Sequence, residues 1–256
     1  MENSNIVDNP HSDSNASCDT SRRYAVKKSL ALVGAGLALT ALPLGMGKFS
    51  RKAFAQTGLT QQVIDVLNFA LTLEFLENEF YNIGLATAGL IPAADRPVFM
   101  QISKHETAHV ALLQSTLGGQ AISKPTFDFT AGGTLTPFTD YNTFRVLSQA
   151  FEDTGVRAYK GQAGNLIGNK PILTVALQIH SVEARHAAEV RRFRGLKGWI
   201  TGNQNDVPTI NAVYAGEENR TQAGVELPNT SAASEAFDEP LTRAQVMAIA
   251  DPFIVS

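Results

Sequence analysis

The stretch His105-Glu106-Thr107-Ala108-His109 has a counterpart further along the chain, Val182-Glu183-Ala184-Arg185-His186, and the part the two share is Glu-x-x-His. Residues at i and i+3 lie on one face of a helix, so each Glu and its His can reach one point. The flanking sequence repeats too. Glu74 precedes Glu106 by almost the same interval as Glu152 precedes Glu183. Each of Glu74 and Glu152 is followed, at one shared spacing, by a tyrosine, Tyr81 and Tyr159. The pattern divides the chain into two similar halves, each a helix with Glu and Tyr followed by a helix with Glu-x-x-His.

The apolar spacing supports this division. Leu59 to Ala88 places Val63, Val66, Leu67, Ala70, Leu71, Leu73, Phe75 and Phe80 at helical intervals, and Gly89 and Pro92 end the run. Asp95 to Leu117 reads as a second helix stopped by Gly118-Gly119, Asp140 to about Ile167 as a third, and Pro171 to about Phe193 as a fourth. A helix of about 25 residues is roughly 37 Å long. The link from 118 to 139 can reach roughly 70 Å, enough to run the length of a bundle. Short, long, short connections predict an all-α four-helix bundle with one long crossover. Residues 196 to 239 are rich in Gly, Asn, Thr, Pro and Ser, and Leu241 to Ala250 reads as a short helix between Pro240 and Pro252. Residues 196–256 are therefore expected to be a mostly irregular extension, packed on the bundle or used in assembly into a homo-oligomer. Its acids Glu217, Glu218, Asp238 and Glu239 are expected to be solvated.

Four carboxylates and two imidazoles converging in a bundle suit two metal ions with O and N ligands. Unpaired, four buried negative charges would be very costly, and two divalent cations neutralise them. The candidate metal ligands are Glu74, Glu106, His109, Glu152, Glu183 and His186. Glu77 and Glu79 compete with Glu74, which is preferred because its spacing to Tyr81 repeats at Glu152. Tyr81 and Tyr159 are the candidate catalytic residues, two turns along and able to hydrogen-bond the ligand carboxylates. Glu77 and Asp153 are expected in ion pairs or in contacts around the ligands, and His105 and His180 at the surface or beside the site. His105-Glu106-x-x-His109 also matches the zinc-protease motif, with two His ligands and a Glu base. Val182 stands in place of His105 in the second copy, and no ligand His follows Gly118-Gly119, so the repeated unit is Glu-x-x-His.

The rest of the sequence sets the context. The only cysteine of the 256 residues is Cys18, so a metal bound further along must be held by oxygen and nitrogen. Residues 1–55 contain Ser21-Arg22-Arg23, an apolar stretch from Ser29 to Gly47, and Ala53-Phe54-Ala55 before Gln56. These are the marks of a twin-arginine export signal with a cleavage site, predicting a periplasmic or extracellular protein without a stable membrane span after cleavage. Seven of the 21 basic and four of the 24 acidic residues lie in that leader, leaving residues 56–256 with a net charge of -6. Such a balance gives no basic stripe for nucleic acid. The expected domains are 1–55, the signal peptide; 56–195, the bundle; and 196–256, the extension.

The pattern Glu-(Glu-x-x-His)-Glu-(Glu-x-x-His) resembles the dimetal ferritin-like superfamily, which includes ferritins, bacterioferritins, rubrerythrins and manganese catalases. Leu67-Asn68-Phe69-Ala70-Leu71-Thr72-Leu73-Glu74-Phe75-Leu76-Glu77, with Phe237-Asp238-Glu239-Pro240-Leu241-Thr242, resembles more narrowly the exported ferritin-like proteins grouped with plant desiccation-related proteins. The resemblance covers most of residues 59 to 195 and part of the tail. It implies a ferritin-like four-helix bundle holding two iron or manganese ions, with Glu106 and Glu183 as bridges. It also implies redox chemistry with O2 or peroxide as an oxidase, peroxidase or catalase-like oxidoreductase in stress protection. Without cysteine ligands the chain departs from a complete rubrerythrin. The alternative from another class is a non-enzymatic, stress-associated envelope protein in which the metal only stabilises the fold.

Overall fold

In the computed structural model of the chain, the residues described are 58–203 and 208–255; the export signal read in residues 1–55 lies outside them. Four long helices form the bundle: α1 Gln61–Ala86, α2 Arg96–Leu117, α3 Tyr141–Gln162 and α4 Lys170–Phe193. Three of their starts are set by side chains that accept otherwise unpaired amides of the first turn. Thr60 accepts from Val63, Asp140 from Asn142 and Thr143, and Asn169 from Ile172. Pro97 and Pro171 occupy first-turn positions in α2 and α4, where a missing N–H is harmless. The third helix is shorter than its periodicity suggests, because residues Ala163–Leu166 tighten into a 3-10 turn.

α1 and α3 are the inner helices. Fifteen of 26 residues in α1 and 16 of 22 in α3 are buried, against seven of 22 in α2 and eight of 24 in α4. The inner helices therefore need cover on more than one side, and the long connection and the C-terminal extension supply it. The crossover starts at Asn68, whose amide group bonds Gln120 and Ile122. It continues to Phe80, where Phe129 and Phe138 pack at ring distances of 5.2 and 5.5 Å. It thus follows α1 along its length.

The extension is anchored at its far end and in its middle. Its last described residues, Ile254 and Val255, pair antiparallel with Phe127 and Thr126 of the crossover. It also holds a 3-10 segment Pro208–Tyr214, a hairpin of Thr221–Gln222 with Val225–Glu226, and the helices α5 Thr230–Ser234 and α6 Arg243–Ala250. At Gly161 a Cβ would fall 2.0 Å from the carbonyl oxygen of Leu241, so α3 carries glycine where this segment crosses it. The expectation that Glu217 is solvated is wrong. It is 1% exposed and pairs with the fully buried Arg157 at 3.1 Å. The guanidinium of Arg157 also donates to the backbone carbonyls of Val213, Ala215 and Glu239. An irregular segment has few internal backbone bonds, and this arginine satisfies three of its carbonyls.

Two apolar clusters fill the bundle. One contains Phe80, Phe99, Phe144 and Val190, the other Leu71, Leu113, Tyr159 and Ile179. Each long helix also places a fully buried glutamate in the interior: Glu74, Glu106, Glu152 and Glu183, all at 0% exposure. No described helix is long and apolar enough to cross a membrane.

Candidate metal centre

The six ligand candidates meet in two overlapping groups. Glu74, Glu106, His109 and Glu183 form one, and Glu106, Glu152, Glu183 and His186 form the other. Within each group the candidate ligand atoms lie within 4.8 Å of one another. Glu106 and Glu183 belong to both. Each helix contributes at one level, because the i, i+3 spacing of the two Glu-x-x-His units turns Glu and His to the same side.

The hydrogen-bond count in this cluster does not close. His109 Nδ1 lies 3.2 Å from Glu74, 3.1 Å from Glu106 and 3.0 Å from Glu183. His186 Nδ1 lies 3.0 Å from Glu106, 3.2 Å from Glu152 and 3.4 Å from Glu183. One Nδ1–H cannot serve three oxygens, and carboxylates accept without donating. Oε1 of Glu106 and both oxygens of Glu183 are buried without a hydrogen bond, although they lie at ion-pair distance from the imidazoles. A site with more acceptors than donors fits a cation.

The electrostatics of the protein alone express the same imbalance. Burial pushes the Glu106 carboxyl up to about 7, against the pull of both histidines, and the Glu152 carboxyl up to about 8, against the pull of His186. Burial acts to lower His109, but hydrogen bonds to Glu106, Glu183 and Glu74 prevail and raise it to about 12. His186 is raised too, against the pull of burial, first by the charge of Glu152 and then by hydrogen bonds to Glu106, Glu152 and Glu183. The protein alone therefore holds protons on Glu106 and Glu152 at pH values where ordinary carboxyl groups are ionised.

Tyr81 and Tyr159 cross between the halves. Tyr81 on α1 donates to Glu152 on α3, and Tyr159 on α3 donates to Glu74 on α1, each at 2.5 Å. Both phenols are raised well above their ordinary range, by burial first and then by the facing carboxylate, so they hold their protons and act as donors. Beyond Tyr159 an apolar cavity of about 20 Å³, bordered by Leu67, Leu113, Ile172 and Ile179, lies between all four helices.

Other expectations divide. Glu79 turns outward to Lys124 at 2.5 Å, which removes it as a rival to Glu74. Asp153 makes the expected ion pair, with Arg191, and accepts from Tyr214 at 2.7 Å. Glu77, 3% exposed, takes the other expected place, beside the ligand candidates, where the charges of Glu183 and Glu152 act on it. His105 belongs to neither group. Its Nδ1 meets Nε2 of His186 at 2.8 Å and its Nε2 meets Gln101 at 2.7 Å, so His105 and His109 do not converge as a zinc-protease pair. His180 stands apart from both groups. The contact of His105 with His186 has no signal in the motif, because it joins α2 to α4, which are far apart in sequence.

The sequence model of one protein family, described as a ferritin-like domain, matches residues 62–196. No curated protein matches the chain.

Proposed function

The chain belongs to the ferritin-like domain family, matched over more than half its length, and from that premise we propose that it binds two iron or manganese ions and performs redox chemistry on O2 or peroxide. The observation that carries this reading is the excess of acceptors: two Nδ1 atoms facing carboxylates from all four helices, with three carboxylate oxygens buried and unbonded. Glu74 and His109 would hold one ion, Glu152 and His186 the other, and Glu106 and Glu183 would bridge them. Such ions, when bound, supply one-electron redox chemistry to a small oxidant. The chain's own part is to hold the carboxylates in place through Tyr81 and Tyr159, and to exclude bulk water. None of the six ligand candidates is more than 8% exposed, which restricts any substrate to the size of O2 or peroxide.

The same closure favours a second reading, a stress-associated structural protein whose metal only stabilises the bundle. Elemental analysis of the purified protein, beside a Glu106→Ala, Glu183→Ala double variant, tests the shared premise. About two iron or manganese ions per chain, lost in the variant, are expected; one zinc, or no metal after loading, would overturn it. Peroxide turnover and Fe(II) oxidation by the loaded protein then separate enzyme from structural protein.

Export is part of the proposal. It rests on Arg22-Arg23, the apolar stretch after them and Ala53-Phe54-Ala55. Arg22→Lys with Arg23→Lys is expected to retain the protein in the cytoplasm on cell fractionation, and unchanged export would refute the twin-arginine route.

A further inference from the structure

Tyr81 and Tyr159 make the same hydrogen bond in different surroundings. Around Tyr81 the space is filled: the rings of Phe80, Phe99 and Phe144 lie 5.6, 6.1 and 6.2 Å from its own. Tyr159, its counterpart in the second half, borders the cavity of about 20 Å³ instead. A cavity in a core costs stability, because the side chains around it lose contacts. The chain carries that cost beside one tyrosine and not beside the other.

The walls of the cavity decide what can occupy it. They are almost wholly apolar, with Ala70 and Ala176 standing among Leu67, Leu113, Ile172 and Ile179. The polar groups that border it are engaged within the protein. Tyr159 donates to Glu74 at 2.5 Å, the hydroxyl of Thr116 donates to the carbonyl of Leu112 at 2.8 Å, and the side-chain carbonyl of Gln162 accepts from Asn165 at 2.9 Å. A buried water needs about two to four polar partners, so such a cavity stays dry. Peroxide would give up its hydrogen bonds on entering; O2 has none to give up. About 10–15 Å³ on this measure holds one water-sized molecule, so the space takes a diatomic gas and little more.

Its position suits a gas on the way to the centre. On the outer side, Val66 and Gln162 also border an open cleft of about 510 Å³ that includes Asp65, Asn165 and Arg243. On the inner side, the hydroxyl of Tyr159 reaches Glu74, a ligand candidate. We propose that the cavity is a docking site for O2, entered past Val66 and Gln162 and serving the centre at Tyr159. The inference rests on the dimetal reading and narrows it: the oxidant that this side of the bundle admits is O2 rather than peroxide.

O2 is paramagnetic and is itself the probe. The purified full chain, free of metal and labelled at its methyl groups, is measured by NMR under argon and under O2. Relaxation at the methyl groups of Leu113, Ile172 and Ile179 should be enhanced severalfold more than at Leu147 and Val190, which are similarly buried in the other apolar cluster. Ala176→Val adds two methyl groups to the cavity wall and should abolish that difference. Ala70→Val should do the same from another helix. With Fe(II) loaded, either variant should raise severalfold the O2 concentration that gives half the maximal oxidation rate, while the Fe(II) bound per chain stays as in wild type. Equal enhancement in the two clusters of the wild type would overturn the inference and leave the dimetal reading intact. So would an O2 dependence unchanged in both variants. A cavity signal in a chain that binds no Fe(II) would overturn the dimetal reading, and with it the service of the cavity to a centre.

Discussion

Glu152 and Asp153 are neighbours on α3 and both are buried, yet they stand in opposite electrostatic settings. Asp153 faces Arg191 and the hydroxyl of Tyr214. Beside it, Arg157 faces Glu217 and three carbonyls. Two acids meet two guanidinium groups, so the protein supplies its own counter-charges. Glu152 looks the other way, into a cluster with Glu74, Glu77, Glu106 and Glu183, where the cationic partners are two imidazoles that must themselves be protonated to help. One polar cluster ties the C-terminal extension to the bundle. The other is unbalanced by the chain alone. The second is the cluster whose missing positive charge the proposed ions would supply.

The largest effect expected from this contrast follows removal of one member of the balanced cluster. Arg157→Ala leaves Glu217 buried without its partner, and breaking a buried pair in this way costs about 3–5 kcal/mol. Denaturant unfolding should show that loss, and limited proteolysis should show residues 196–255 cut first. The Glu106→Ala, Glu183→Ala variant should behave in the opposite way. Removing two buried acids from the unbalanced cluster should leave the metal-free protein as stable as wild type or more so. Equal destabilisation by both changes would break the comparison.

Metal loading provides the next step. A ligand at about 100 times its dissociation constant stabilises the folded state by about 2.7 kcal/mol per site. The wild-type chain should gain that with Fe(II) or Mn(II) and lose it to a chelator, as read from the thermal midpoint. The double variant should gain nothing, and Arg157→Ala should gain as much as wild type.

A smaller effect sets the sign of the pH dependence. Glu106 and Glu152 are raised by burial to about 7 and about 8. Between an unfolded value of about 4.3 and those values, the folded protein holds protons that the unfolded chain has released. Stability of the metal-free protein therefore falls as pH rises across that window. His109 acts in the same direction: its contribution is present below an unfolded value of about 6.5 and is lost as pH rises towards about 12. Metal-loaded protein should do the reverse below neutrality, because its ligands must be deprotonated and acid expels the ions. Thermal midpoints from about pH 5 to 8, with and without metal, should cross. Parallel curves would mean that the cluster does not exchange protons for metal.

The two clusters are unequally visible in the sequence. The candidate metal centre is built from local spacing repeated twice: Glu-x-x-His fixes its own geometry on a helix, and the Glu-to-Tyr interval marks the partner helices. All six ligand candidates can be found without any knowledge of tertiary contacts. The Arg157 cluster joins α3 to an irregular segment far along the chain, where no periodicity marks which acid turns inward, so the sequence alone leaves Glu217 looking solvated. Glu77 lies between the two cases. Its helix face is readable, but the space it fills depends on Gly155 of another helix. The shortened third helix illustrates the same limit, since the apolar pattern continues through Leu166 while the backbone tightens after Gln162.

The smallest predicted effect tests whether the centre's two halves are equivalent. Tyr81 and Tyr159 each donate one hydrogen bond to a carboxylate of the opposite inner helix, at the same distance. Phenylalanine in place of either keeps the ring in its apolar cluster and removes only the O–H. Groups of this kind around a metal site contribute tenfold or more to affinity, so each single variant should bind metal about tenfold more weakly. If the halves were truly equivalent, Tyr81→Phe and Tyr159→Phe would weaken the same fraction of binding to the same extent. The bond is the same in each half, so the two losses should match. Paired Mn(II) titrations of the two variants measure both losses directly, and unequal losses would show that the two halves of the cluster are not equivalent.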